Sequence, residues 1–138
     1  MPSHQTTARR LRTLAAFLRE LPRRKWDFEH FANDPTREFM STKPVKLDPH
    51  HCKSVACAAG WATTIPSFRR AGLRLTPTGM PCYIGLEGVD AMAAFLGIDY
   101  FSAQEIFADP HYYAKSDYHQ VTKTMVARAL EGLAKWYD

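Results

Sequence analysis

Leu11, Leu14, Ala15, Leu18 and Leu21 recur at helical spacing and draw a single apolar stripe, which predicts an amphipathic helix over residues 7–21. Thr6 or Thr7 is placed to cap its start, and Pro22 ends it. Residues 25–51 lose the periodicity. Asn33-Asp34-Pro35 marks a turn, and Pro44 and Pro49 discourage a long helix. Trp26, Phe28 and Phe31 in this stretch are large apolar groups expected to bury against the first helix.

Residues 54–65 read as a second helix, capped by Ser54 and stopped by Pro66. It carries no charge from Val55 to Ile65, and a helix apolar all round is a buried one. Leu73 and Leu75 on one side and Met80 to Ile84 on the other flank Thr76-Pro77-Thr78-Gly79. This predicts a small β-hairpin over about 73–84, with Pro81 favouring an edge position. Val89, Met92, Ala93 and Leu96 predict a helix over 87–97, stopped by Gly97. Ser102-Ala103-Gln104-Glu105 has the form of a capping box and opens a short helix closed by Pro110. Residues 117–137 read as the longest helix, with Val121, Met125, Val126, Leu130 and Leu133 on its stripe. The expected fold is mainly α, one domain over residues 1–138. It is a compact helical bundle around a buried central helix at about 54–65, with the small hairpin beside it.

Composition changes the picture little. With 46% hydrophobic and 23% charged residues, 138 residues make an ordinary globular chain able to build one core. No apolar run is long enough to cross a bilayer, so no membrane role is expected. Glu20 and Pro22 follow the first arginines where a secretory signal would have an apolar stretch. Three cysteines, an odd set, point to a reducing, cytoplasmic setting.

Charge changes it more. Residues 1–25 hold Arg9, Arg10, Arg12, Arg19, Arg23, Arg24 and Lys25 against Glu20 alone, a local +6 in a chain whose net charge is +4. The remainder is therefore slightly acidic, and the basic character belongs to one end. Arg9, Arg12 and Arg19 fall away from the leucine stripe and form a solvated face with Arg23, Arg24 and Lys25. Such a face suits an acidic protein partner. Nucleic acid is the alternative, since Trp26 and Phe28 lie near the cations and offer stacking surfaces.

His50-His51-Cys52-Lys53-Ser54-Val55-Ala56-Cys57 is the segment richest in chemical groups. Cys57 or Cys52 with a histidine such as His51, His111 or His119 is the alternative of a cysteine-dependent hydrolase or transferase, because a thiolate is favoured at a helix start. Cys52, Cys57 and His51 are also the candidate metal ligands, but a tetrahedral site needs a second pair, and Cys82 stands alone. No cofactor is expected. Gly88 to Phe107 has helix-turn-helix spacing, yet its second helix has no Lys or Arg and two acids, which fits packing and not a duplex.

The run Cys52-Lys53-Ser54-Val55-Ala56-Cys57-Ala58-Ala59-Gly60-Trp61-Ala62 resembles a loose group of short uncharacterised proteins of bacteria and their phages. Those share Cys-x4-Cys-x2-Gly-(Trp or His)-Ala, followed by a Leu-Gly-(Leu or Ile) turn and an Ala-x-x-(Leu or Ile)-Phe helix. The later pieces here are Ala91 to Ile98 and Ala103 to Phe107. Lys53 and Ser54 depart from the group's Gly-Thr. The resemblance implies a mobile-element or accessory setting, in which a small protein acts by docking to or inhibiting a host component such as a defence nuclease complex.

Overall fold

The structure is a computed structural model and describes residues 2–32, 44–48 and 55–138. The first helix, α1 (His4–Glu20), starts three residues earlier than its stripe suggests, because Ser3 caps it and accepts from the Thr6 amide at 3.1 Å. Thr7 is instead a core residue, and its hydroxyl has no partner among the described residues. Leu11, Leu14, Ala15 and Leu18 are wholly buried. Each leucine contributes roughly 2 kcal/mol of apolar burial, enough to outweigh the cost of ordering its side chain.

The stripe packs on α6 (Lys123–Ala134), whose Val126, Ala127, Leu130 and Ala134 face it. The two helices run antiparallel: Arg12 meets Asp138, Arg19 meets Glu131, and the Lys123 ammonium donates to the Arg19 carbonyl. The expected helix over 117–137 is divided. Asp117 opens a 3-10 turn at Tyr118–Gln120, Thr122 caps α6 by accepting from the Met125 amide, and Lys135–Tyr137 tightens into another 3-10 turn.

The uncharged segment is buried as its composition demands, but it is not one helix. Ala56 precedes the helix and pairs in parallel with Trp26: the Ala56 amide donates to the Lys25 carbonyl and the Asp27 amide to the Ala56 carbonyl. Only Ala58–Ala62 is helical (α2), and the Thr63 and Thr64 hydroxyls turn back onto the Gly60 and Trp61 carbonyls to close it. Pro66 opens a further short helix, α3 (Pro66–Arg70), since proline fits the first helical position where its missing N–H is no loss. Ser54 lies outside the described residues. Trp61 is fully buried, and its indole N–H donates to the Lys25 carbonyl at 2.9 Å. Trp26 and Phe28 meet residues 113–121: the Trp26 indole donates to the Val121 carbonyl, and the Phe28 ring lies against Tyr113 and Tyr118.

The hairpin region forms a three-stranded antiparallel sheet in the order β1 (Arg74–Leu75), β2 (Pro81–Tyr83), β3 (Leu86–Glu87). Pro81 therefore stands in the central strand and not at an edge. It is tolerated as the first residue of that strand. Ile84 and Gly85 join β2 to β3, both at positive φ, the combination of a tight two-residue turn. The sheet packs on α4 (Gly88–Leu96). Gly97 ends α4 in the left-handed region, as expected, and α5 (Tyr100–Ala108) follows. Its cap is Asp99, not Ser102: the Asp99 carboxylate accepts from the Ser102 amide and hydroxyl. The chain is thus mainly helical with one small sheet. No helix of the described residues is long and apolar enough to cross a membrane.

Candidate functional site

Of the cysteine chemistry, Cys57 is the residue the structure places. It sits just before α2, fully buried, and its amide donates to the His30 carbonyl at 2.8 Å. The helix start does not leave its pKa lowered. Burial pushes the thiol up to about 11, against the opposing pull of nearby amides such as those of Gly60 and Ala59, so it is protonated at neutral pH. Cys82 lies half-buried in β2. His111 and His119 are exposed on separate 3-10 turns. Cys52 and His51 lie outside the described residues.

One titratable cluster escaped the sequence reading. Asp27, Glu29 and His30 offer ligand atoms within 4.8 Å of one another. Two of those groups are already engaged: Asp27 accepts from the Glu29 amide at 2.9 Å and meets His30 Nδ1 at 2.7 Å. The cluster is a turn held by its own aspartate. The spacing Asp-x-Glu-His was its only trace in the sequence.

The arginines divide into three kinds. Arg9, Arg23 and Arg24 are exposed and make no ion pair among the described residues. Arg12 and Arg19 are half-exposed and held two-pronged by carboxylates, Arg12 by Asp138 at 2.7 and 2.6 Å and Arg19 by Glu131 at 3.2 and 2.6 Å. Those hydrogen bonds lower the pKa of both carboxyls and raise those of both arginines. Lys25 is only 5% exposed, and its carbonyl accepts from the Ala56 amide and the Trp61 indole, so it forms no part of a solvated face.

Arg10 is the third kind. Its guanidinium lies over the Phe95 ring, 4.0 Å from the centroid, and donates to the Phe95 carbonyl. Partial burial lowers its pKa, opposed by the adjacent Tyr83 hydroxyl. Phe95 itself is fixed by Phe68 and Tyr83, with ring centroids 4.9 and 5.2 Å away.

On the flank of α1 that faces the last residues, a groove of about 680 Å³ has Arg9 and Arg12 on one wall and Tyr137 and Asp138 on the other. Next to Tyr137 in the chain, Trp136 is 84% exposed. An indole this open to water is unusual, since tryptophan normally buries most of its surface. Comparison of the chain with protein-family models, with curated proteins and with solved structures finds no match.

Proposed function

We propose that the protein is a non-enzymatic binding module that docks to an acidic protein partner through the exposed arginines of α1 and the turn after it. The observation that carries this reading is the groove with Arg9 and Arg12 facing Tyr137, and Trp136 open beside it. Trp, Tyr and Arg are the residues on which protein interfaces concentrate their binding energy. Arg12 is held rigid by Asp138, so it loses little freedom on docking.

A protein partner fits better than a nucleic acid. Asp138 and Glu131 stand among the arginines and offset two of the cations, which weakens the field a phosphate chain would need. The mixed pattern suits a surface with complementary charges of its own. Inhibition of a host nuclease complex is the sharper form of the same proposal, with the basic face covering an acidic surface of the target. The hydrolase alternative gains nothing from Cys57, whose buried thiol is protonated at neutral pH.

The test is affinity capture from the native host with the tagged full chain, read by mass spectrometry. It is run in parallel with the Arg9→Glu/Arg23→Glu/Arg24→Glu variant, whose changed side chains are all exposed. A defined protein is expected with the wild-type chain, released as salt shortens the screening length from about 10 Å at 0.1 M to about 3 Å at 1 M. It is expected to be absent with the variant and unaffected by nuclease. The same catch with the variant would sink the proposal, and loss on nuclease treatment would hand the face to nucleic acid.

A further inference from the structure

The other flank of α1 holds a second feature, and it stands independently of the groove. We propose that the cleft between α1, the β2–β3 turn and α4 is a recognition pocket for a peptide carboxylate with an apolar side chain beside it. The cleft encloses about 370 Å³ and is lined by Pro2, Thr6, Arg10, Tyr83, Ile84 and Ala94. That volume is within the range of small-ligand pockets.

Arg10 supplies the charge. A guanidinium has five N–H donors, of which the Phe95 carbonyl takes one hydrogen bond and the Tyr83 hydroxyl engages another. No carboxylate among the described residues pairs with it, unlike Arg12 and Arg19. The contact with the Phe95 ring holds the guanidinium in place, and the donors not taken by Phe95 and Tyr83 are left for an acceptor entering the cleft. A planar fork of this kind matches a carboxylate with two parallel hydrogen bonds. Among the described residues Arg10 is the one cation of the lining, which suits a singly charged group better than a phosphate.

Ile84 supplies the apolar half. Its φ of 45° lies in the left-handed region, where a β-branched residue is rarely found. The turn it occupies is one that Asn or Gly would make without strain. Burial within the chain does not compensate, since Ile84 is 74% exposed. Strain that the fold itself does not need points to contact with another molecule. Pro2 and Ala94 continue the apolar rim on the sides of the cleft.

The test uses the full chain labelled with nitrogen-15 and follows the Arg10 Nε–H signal and the amides of Tyr83 and Ile84. The probes are acetyl-Leu-Glu-amide, acetyl-Leu-Gln-amide, sodium acetate and inorganic phosphate. Saturable shifts at these three positions are expected with the Leu-Glu peptide, at least about tenfold weaker with Leu-Gln, because a hydrogen bond to a charged partner is lost. Ile84→Asn is expected to remain folded with a higher Tm while losing most of the affinity for Leu-Glu. Equal shifts with Leu-Gln, acetate or phosphate as effective as the peptide, or undiminished binding by Ile84→Asn would each overturn the pocket. None of these results bears on the groove, because Arg9, Arg23 and Arg24 are untouched in every arm.

Discussion

At position 60 a hydrogen atom is the largest substituent the fold accepts. A methyl group built there would lie 1.4 Å from the Phe31 carbonyl oxygen, which is backbone and has no rotamer to move into. Helix propensity argues the other way, since alanine stabilises a helix interior by about 1 kcal/mol over glycine. The clash decides the sign: Gly60→Ala is expected to lose about 3 kcal/mol or more, read as a fall in the urea midpoint. Gly60 stood in the sequence as one small residue among several, and only the return of residues 26–31 across α2 makes it indispensable. The same holds for the cations. That Arg9 points away from the leucine stripe follows from helical period alone. That Arg10 serves Phe95, and that Lys25 is enclosed, follows from which segments pack on either side, and those lie dozens of residues away.

Among the elements, those with a sustained period were readable and those set by a single local bond were not. The leucine stripe and the apolar face of α4 each repeat a signal over several residues. The start of α5 depends on one carboxylate. Asp99 accepts from the Ser102 amide and hydroxyl, and those hydrogen bonds hold its carboxyl below the usual aspartate range. Asp99→Ala is expected to cost about 1 kcal/mol, measured as a shift of the denaturation midpoint. The sign with pH follows from the lowered value. The stabilisation is complete above the aspartate pKa of the unfolded chain and disappears as pH falls through the lower folded one, so wild type and variant should converge in acid. Pro66 shows the same ambiguity from another side: a proline that cannot continue α2 is the preferred opener of α3.

Over the whole molecule, α1 is tied by two charged pairs, Arg19 to Glu131 of α6 and Arg12 to Asp138 beyond it. Both carboxyls are lowered, chiefly by hydrogen bonds from their arginines. Carbon-detected titration is expected to place the Glu131 and Asp138 midpoints below those of unpaired carboxylates, and Arg19→Gln is expected to return Glu131 towards the ordinary range of about 4.3. Whatever stability the pairs add is present at neutral pH and lost as pH drops through those lowered midpoints. An unchanged Glu131 midpoint in the variant would show that its pair with Arg19 is not formed in solution. None of this pairing was visible in the sequence, where Arg12, Arg19 and Glu131 were simply charges on two amphipathic helices and Asp138 lay beyond the second.

The partnership of α1 with α6 also has a consequence in time. Arg19 and Glu131 are 112 residues apart in the chain. A ribosome adding about 5–20 residues per second needs roughly 5–20 seconds to bridge that interval. For that period the leucines of the first helix have emerged and the surface that will cover them does not yet exist. The nascent chain therefore presents a greasy stripe flanked by arginines, open to association with other chains, until α6 has left the tunnel.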